Sequence, residues 1–212
     1  FLAFSPEISL ITGISWDHHE IFKTQQDYFE AFKQFISQSI TTFMWPEDAR
    51  NLGLEKSNSV NIIDDDPGTF DINLYGSANK VDALLAVDGV NFALHTDKKQ
   101  LVEIVNKFPG LQRRMEEIIP GLYSDYAHTP EKVRGGLGVA LDVAKQQNKD
   151  VVVVFEPLHN RRQHYMIDDY KDCFKGAKKL YWIPSYLARE DPNQRIISPA
   201  EMISRLPDSA IG

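Results

Sequence analysis

Apolar and polar positions follow each other along the chain in blocks that predict alternating strands and helices. A short apolar run at residues 8–14 is typical of a buried parallel strand. Thr24 and Asp27 then form a capping-box pattern. The apolar residues after this cap recur at helical spacing: Tyr28, Phe29, Phe32, Phe35, Ile36 and Ile40. This block predicts a strand followed by an amphipathic helix.

The middle of the chain predicts two more strands and two more helices. We expect the strands at residues 59–64 and 69–76, around the turn Asp66-Pro67-Gly68. The helical pattern covers residues 79–94 and 98–105. The pattern is then interrupted by a Pro/Gly break in "KFPGLQRRMEE". We place a domain boundary there, with domains at 1–110 and 111–212.

The second half alternates between strand and helix patterns. Strands are expected at residues 122–126, 151–155 and 179–184, and helices at 130–147, 168–176 and 199–206. Such an alternation predicts an α/β domain with right-handed crossovers and a mainly parallel sheet. Ligands of these sheets bind beyond the carboxyl ends of the strands.

Composition and charge limit the possible partners. The chain has 212 residues and a formal net charge of −7, which argues against nucleic-acid binding. Cys173 is its only cysteine, which excludes an intrachain disulfide and a cysteine-built zinc site, and fits a reducing compartment. No apolar run is long enough to span a membrane, and the N-terminus lacks a basic signal-peptide region. We expect a cytoplasmic protein without membrane insertion.

Titratable and aromatic side chains follow the first strand of the second half. Asp125 and Tyr126 end the strand predicted at residues 122–126, and His128 follows it. All three are therefore expected at the ligand-binding edge of the sheet. An alternative interpretation is purely structural. In that case Thr129 caps the next helix, Pro130 occupies its first position and His128 is a surface residue.

The segment "WDHHE" at residues 16–20 follows the first strand of the chain. Asp17 and His18 are residue types that bind divalent metals, although a solvated loop is the simpler interpretation. Asp64–Asp66 could also bind a cation, but this run leads into Pro67-Gly68 and a solvated turn is favoured there.

Two arginine pairs complete the candidates. Arg113 and Arg114 lie at the predicted domain boundary, and Arg161 and Arg162 follow the strand "VVVVF". Guanidinium groups bind phosphates and carboxylates through bidentate hydrogen bonds. Two such pairs, together with the histidine-containing segments that follow predicted strands, favour a polyanionic substrate.

Five motifs occur in an order that resembles the Mur ligase family of peptidoglycan synthesis: "PEISLITGISWDH", "GSANKVDALLA", "FPGLQRRMEE", "SDYAHTPEKV" and "VVVVFEPLHNRR". The resemblance covers nearly the whole chain. It implies part of the central ATP-binding domain, followed by a Rossmann-like C-terminal domain with a mainly parallel sheet. It also implies a ligase that uses ATP and Mg²⁺ to join L-alanine to UDP-N-acetylmuramate through an acyl phosphate.

The resemblance gives roles to individual residues of the nucleotide and metal sites. His18 matches a histidine that helps to bind Mg²⁺, and Asn79 matches an asparagine on the adenine side. Arg114 matches a catalytic arginine near the ATP phosphates, and Asp125 an acidic residue near the nucleotide. Family members usually have histidine where this chain has Ala78, and a second asparagine where it has Asp82.

The resemblance also predicts the substrate site. Tyr126 and His128 match positions near the incoming amino acid and the reacting carboxylate, and His128 is the second expected catalytic residue. Arg161 or Arg162 matches the arginines that hold carboxylates. We expect these residues to share one edge of the sheet.

No G-x-x-x-x-G-K-[ST] phosphate loop occurs in the 212 residues, and in the family this loop precedes the matched region. The sequence is therefore expected to be a fragment that is inactive alone. Three alternatives stay open: a sibling ligase that attaches recycled tripeptide to UDP-N-acetylmuramate, a metal-dependent phosphoesterase using the DHH segment at residues 17–19, and a non-catalytic nucleotide-binding module.

Overall fold

The computed structural model describes residues 1–19, 21–187 and 190–207. The chain divides into two compact units. Unit 1 consists of Phe1–Leu74 and Ala78–Phe108, and unit 2 consists of Tyr75–Ser77 and the chain from Pro109 onward. The division at Phe108 lies next to the boundary expected from the Pro/Gly break. The assignment of the units to ligase domains stays a prediction.

Unit 1 contains a parallel sheet of three strands in the order β1-β2-β3, formed by Ile8–Ile11, Thr41–Met44 and Val60–Ile62. Ile8 lies opposite Thr41, and Thr42 lies opposite Val60. The central strand β2 is buried throughout because it has a neighbour on both sides. The hydroxyl groups of Ser9 and Thr42 are 2.7 Å apart and satisfy each other inside the sheet.

The described residues before Pro109 form four α-helices: α1 (Gln25–Gln38), α2 (Pro46–Leu52), α3 (Ser77–Leu94) and α4 (Lys98–Val105). The predicted capping box of α1 is confirmed. Thr24 Oγ1 accepts a hydrogen bond from the Asp27 N–H at 3.1 Å, and Asp27 Oδ2 accepts one from the Thr24 N–H at 3.0 Å. Helix α4 has the predicted bounds, whereas α2 was not predicted.

The strand expected at residues 69–76 is wrong. A 3-10 turn covers Pro67–Thr69, and the residues after it have no strand partner. Phe70, Ile72 and Leu74 instead pack into a hydrophobic cluster with residues of α3 and α4. Their alternation therefore reflects burial of every second side chain, without the ladder of hydrogen bonds that defines a strand.

The strands described in unit 2 form two separate pairs. In one, β4 (Glu116–Ile119) and β5 (Leu122–Ser124) make an antiparallel hairpin, and in the other β6 (Val152–Phe155) and β7 (Lys179–Trp182) are parallel, with Val152 opposite Lys179. The expectation that β5 pairs within the parallel sheet is wrong, because its hydrogen-bonded partner is β4. The α/β class is confirmed, with parallel strands in both units.

The helices of unit 2 are α5 (Pro130–Gln146), α6 (Asn160–Met166) and α7 (Pro199–Arg205). Helix α5 agrees with the prediction. The helix expected at residues 168–176 is wrong, because α6 begins at Asn160 and continues as a 3-10 turn over Ile167–Tyr170. This difference places Arg161 and Arg162 in the first turn of a helix instead of in a loop.

An aromatic core holds the parallel pair of unit 2 against its helices. Phe155, Tyr170, Phe174 and Trp182 contact one another with ring centroids 4.9 to 5.9 Å apart. Such rings contribute both buried apolar area and favourable edge-to-face contacts. Cys173 lies in the same cluster, and burial raises the pKa of its thiol to about 12. The thiol is therefore protonated at neutral pH and unreactive.

A cavity of about 300 Å³ in unit 2 separates β5 from β6. Leu122 and Tyr123 line it from the hairpin, Val152 from β6, and Leu137 from α5. Residues of β5, β6 and α5 therefore border one cavity, and β5 and β6 belong to different hydrogen-bonded pairs. Within the described residues, no helix has both the length and the apolar character needed to cross a membrane.

The carboxylate of Glu201 in α7 gives unit 2 a pH-dependent contribution to stability. It accepts hydrogen bonds from Arg195 at 2.9 Å and from Arg205 at 3.1 Å. The hydrogen bond with Arg195 is the main cause that lowers the pKa of Glu201 to about 2, from an ordinary value of 4.5. A carboxylate with a lower pKa in the folded state stabilises the fold above its unfolded pKa, and this stabilisation is lost as the pH falls towards the folded pKa.

We therefore expect Glu201→Gln to lower the thermal midpoint at neutral pH, and this difference from the wild type to vanish as the pH falls from 4.5 to about 2. Differential scanning calorimetry of both proteins across that range measures it. A difference that stays constant down to the lowest pH would contradict the assignment of the effect to the Glu201 carboxylate.

Candidate functional site

A tight turn before the hairpin of unit 2 presents Arg113 and Arg114. Glu116 Oε2 accepts a hydrogen bond from the Arg113 N–H at 2.8 Å, and Asp125 Oδ2 accepts one from the Met115 N–H at 2.9 Å. Arg113 and Met115 have φ angles of 56° and 48°, in the left-handed region that is unfavourable for residues with a side chain. Backbone strain of this kind costs about 1–3 kcal/mol and concentrates at functional sites.

The two arginines stack on one aromatic ring. The guanidinium carbon of Arg113 lies 4.5 Å from the centre of the Tyr126 ring, and that of Arg114 lies 5.7 Å from it. The His128 ring packs edge-on against the same Tyr126 ring at 4.9 Å. We call Arg113, Arg114, Tyr126 and His128 the arginine–tyrosine cluster. It concentrates positive charge on a rigid aromatic surface, which is suited to an anion.

The ring of His128 has a defined orientation. Its Nδ1 lies 2.7 Å from the carbonyl oxygen of Tyr126, which can only accept a hydrogen bond, so the neutral ring carries its proton on Nδ1. Nε2 is then the proton-accepting nitrogen. Lys132 Nζ lies 3.5 Å from Nε2 and adds a further cation beside the cluster.

The Asp125 carboxylate holds the backbone on either side of the arginine–tyrosine cluster. Its Oδ1 accepts a hydrogen bond from the Ala127 N–H at 2.6 Å, and its Oδ2 holds the turn at Met115. A β-carbon at Gly136 would lie 3.3 Å from the Asp125 carboxyl carbon, so glycine at this position of α5 gives the carboxylate room. The structure gives Asp125 a positioning role, and its expected contact with a nucleotide stays a prediction.

Arg161 and Arg162 are half-buried in the first turn of α6, directly after β6. The carboxylate of Glu190 accepts hydrogen bonds from the Asn160 N–H at 2.8 Å and the Arg161 N–H at 3.0 Å. A carboxylate therefore fixes the segment that carries both arginines, and sequence reasoning missed Glu190 entirely.

Of the candidates in unit 1, His18 is exposed and has a φ angle of 57°. Its N–H donates to Asp17 Oδ1 at 2.8 Å, while His19 is buried against Trp16. No three His, Cys, Asp or Glu side chains converge as a metal site within residues 1–19, 21–187 and 190–207. The expected role of His18 in binding Mg²⁺ stays a prediction.

The aspartate run at residues 64–66 has local partners. Asp64 lies 3.5 Å from Lys56, Asp65 lies 2.6 Å from Lys98, and Asp66 accepts a hydrogen bond from the Gly68 N–H at 2.9 Å. This favours the solvated turn over a cation site, and it leaves the phosphoesterase alternative without a second carboxylate cluster among the described residues. Asn79 is exposed in the first turn of α3, and its adenine contact stays a prediction.

Sequence analysis named all four residues of the arginine–tyrosine cluster, with Arg113 only as one of a pair of possible phosphate ligands. Arg113 lies closer to the Tyr126 ring than Arg114 does. Lys132 was also missed, because His128 precedes α5 and only Lys132 lies within the helix. No local signal points to Glu190, because its partners lie about 30 residues earlier in the chain.

The structure defines an α/β protein with parallel strands and with a cationic, aromatic cluster at the end of β5. No protein-family model matches the chain. The whole chain aligns at 26% identity with 54% of the UDP-N-acetylmuramate–L-alanine ligase of Lactobacillus helveticus. The ligase of the same name from Streptococcus suis is 26% identical over 92% of the chain and 51% of that protein. The chain spans about half the length of the curated relatives it matches.

Two solved structures have a similar fold. The UDP-N-acetylmuramate-alanine ligase MurC of Thermotoga maritima is 20% identical, with 87% of this chain and 47% of that chain covered at a TM-score of 0.63. A pseudomurein peptide ligase type C from Methanothermus fervidus is 15% identical, with 91% and 55% covered at a TM-score of 0.63. The chain has the fold of Mur ligase domains, and its expected resemblance to the Mur ligase family is confirmed.

Proposed function

We propose that the chain forms part of an ATP-dependent amide-forming ligase of peptidoglycan synthesis that joins L-alanine to UDP-N-acetylmuramate. The observation that carries the proposal is the arginine–tyrosine cluster, which places two guanidinium groups and a histidine around one phenol ring. The relatives named for this reaction support it, since they match between 92% and 100% of the chain.

The reaction has two steps with different demands on the protein. A carboxylate oxygen of UDP-N-acetylmuramate first attacks the terminal phosphorus of ATP, and ADP leaves. The amine nitrogen of L-alanine then attacks the carbon of the acyl phosphate, phosphate leaves, and the nitrogen gives up a proton. Phosphoryl transfer requires alignment and neutralisation of negative charge, and amide formation requires a base.

Arg113 and Arg114 meet the first demand. Both guanidinium groups are held against the Tyr126 ring, so they are oriented before a ligand arrives. A pre-oriented cation stabilises charge in the transition state more than a mobile one, because it needs no reorganisation during the reaction. We assign Arg114 to the phosphates of ATP, and Arg113 to the same anionic region.

His128 meets the second demand. Its Nδ1–H donates to the Tyr126 carbonyl oxygen at 2.7 Å, so the ring's lone pair is on Nε2, beside Lys132 Nζ at 3.5 Å, and Nε2 would take a proton from the attacking amine. Tyr126 and His128 would contact the amino acid, and Arg161 and Arg162 would bind its carboxylate.

Tyr126 and His128 adjoin the same hydrophobic cluster as the strand that precedes Arg161 and Arg162. Ala127, between Tyr126 and His128, packs against the same hydrophobic cluster as Phe155, the last residue of β6. Arg161 and Arg162 follow β6 within one short connection. This packing supports a shared edge, although β5 and β6 belong to different strand pairs.

The remaining roles come from the resemblance alone. We assign Asn79 and Asp125 to the nucleotide, and His18 to Mg²⁺, which would offset phosphate charge when bound. No step proposed here depends on a Mg²⁺ site within the described residues.

A phosphate-release assay tests the proposal on the protein as its gene encodes it. We expect release only when ATP, Mg²⁺, UDP-N-acetylmuramate and L-alanine are all present, and each omission serves as a control. Release with the recycled tripeptide but without L-alanine would transfer the assignment to the sibling ligase. Release from ATP and Mg²⁺ alone, unaffected by either substrate, would contradict amide-ligase function.

A further inference from the structure

Glu190 connects two parts of unit 2 that are distant in sequence. It lies between β7 and α7, and its side chain is only 12% exposed. Its two carboxylate oxygens accept hydrogen bonds from the N–H groups of Asn160 and Arg161, at 2.8 and 3.0 Å. His159 Nδ1 lies 3.3 Å from the same carboxylate. Two backbone donors from consecutive residues therefore converge on one carboxylate, with the His159 ring beside it.

Helix α6 lacks a cap of its own. The residue before it, His159, makes no side-chain hydrogen bond to the first turn. The first backbone N–H groups of a helix have no partner inside the helix, and a side-chain acceptor normally satisfies them. Glu190 supplies this acceptor from another part of the chain. Hydrogen bonds to an ionised carboxylate are about twice as strong as neutral ones, so the attachment is firm.

The segment between β7 and α7 makes further hydrogen bonds to α6. Asn160 is 1% exposed, and its side-chain oxygen accepts a hydrogen bond from the Ile197 N–H at 2.8 Å. Its side-chain nitrogen donates to the Arg195 carbonyl oxygen at 3.1 Å, and His164 Nε2 donates to that oxygen at 2.7 Å. The placement of the first turn of α6, where Arg161 and Arg162 lie, is therefore determined by residues 190–197.

We propose that Glu190 is a positioning residue for substrate binding, which acts by fixing the helix start that carries Arg161 and Arg162. This inference rests on the proposed function, because it assumes that the two arginines bind the carboxylate of L-alanine. Bidentate hydrogen bonding to a carboxylate depends strongly on the orientation of each guanidinium group. A shift of the first turn would weaken binding while leaving the groups that carry out the chemistry in place.

Steady-state kinetics of phosphate release by the protein as its gene encodes it test the proposal. We expect Glu190→Gln to raise KM for L-alanine about 10-fold and to change kcat less than about 3-fold, since an interaction lost equally in ground and transition states appears in KM. Glu190→Asp keeps the charge and is expected to restore KM to within about 3-fold of the wild type.

A matched control separates positioning from general stability. Asp27 is also a carboxylate that caps a helix start, but it caps α1 in unit 1, where no substrate residue follows. We expect Asp27→Asn to weaken the hydrogen bond from the Thr24 N–H and lower the thermal midpoint, and to leave KM for L-alanine within about 2-fold of the wild type. An equal rise of KM in both variants would overturn the positioning role.

A second measurement does not depend on activity. Nitrogen-15 relaxation of the Nε–H groups of Arg161 and Arg162 reports whether their side chains are ordered, and we expect both to become more mobile in Glu190→Gln. Unchanged order together with an unchanged KM overturns the proposal, and so does increased mobility without a rise in KM. If the wild type releases no phosphate with L-alanine, the proposed function fails, and the relaxation data alone decide whether Glu190 orders the arginines.

Discussion

Replacing Tyr126 with alanine is expected to lower kcat/KM for phosphate release about 100-fold, which corresponds to about 2.7 kcal/mol of transition-state stabilisation. The Tyr126 ring contacts Arg113 at 4.5 Å, Arg114 at 5.7 Å and the His128 ring at 4.9 Å. Each cation–π contact contributes about 0.5–2 kcal/mol, depending on how far it is shielded from water. Loss of the ring removes an aromatic contact from all three side chains at once, so the effect exceeds that of a single contact.

Two further variants identify the cause of the effect. Tyr126→Phe retains the ring and removes only the hydroxyl, so we expect kcat/KM to stay within about 5-fold of the wild type. Tyr181 offers a matched control in the same unit, because it is 47% exposed and has Lys179 Nζ 4.7 Å from its ring centre. Tyr181→Ala should leave kcat/KM unchanged. An equal loss in Tyr126→Phe and Tyr126→Ala would assign the role to the hydroxyl and contradict the stacking argument.

Local signals predicted the elements whose stabilising contacts are also local. The capping box of Thr24 and Asp27 correctly placed the start of α1, since both partners lie within one turn. Helix α4 agrees with its predicted bounds because Asp97 caps it from the preceding position. The position of the arginine–tyrosine cluster after a strand was also predictable, because Tyr126 and His128 directly follow β5.

Contacts between distant residues explain the wrong predictions. The start of α6 was missed because its acceptor is Glu190, about 30 residues further along the chain. A sequence window around Asn160 contains no Ser, Thr or Asp at the capping position, and the helix was therefore placed too late. The contact between Glu190 and the start of α6 also underlies the proposed positioning role. Sequence analysis missed both Glu190 and the start of α6 because this contact joins residues that are distant in the chain.

The hairpin in unit 2 was missed for a different reason. Strand β4 begins with Glu116 and Glu117, and its last two residues are exposed apolar side chains, so it lacks the buried face that marks a strand. Pairing of β4 with β5 draws the turn at Arg113 towards Tyr126, whose N–H donates to the Arg113 carbonyl oxygen at 2.9 Å. Neither this contact nor the left-handed backbone of Arg113 is visible in the order of residues alone.

The second large effect is expected on stability, in the aromatic core that supports β6 and α6. Phe174 is 0% exposed and contacts the rings of Phe155 and Trp182, at 5.4 and 5.7 Å between centroids. We expect Phe174→Ala to reduce the free energy of unfolding of unit 2 by about 3–5 kcal/mol, because the substitution removes buried area and leaves a cavity. For a chain of this length, such a loss lowers the thermal midpoint by about 6–20 °C.

Urea unfolding followed by tryptophan fluorescence measures this change, since Trp182 lies in the affected core. Phe174→Leu retains most of the buried volume and is expected to cost less than half as much as Phe174→Ala, by the dependence of the cost on cavity size. Phe92 is the matched control in unit 1, because its ring is 47% exposed and its truncation leaves no closed cavity. If Phe92→Ala destabilised the protein as much as Phe174→Ala, burial could not be the source of the effect. A loss much larger in Phe174→Ala than in Phe92→Ala would instead show that burial in the aromatic core stabilises unit 2.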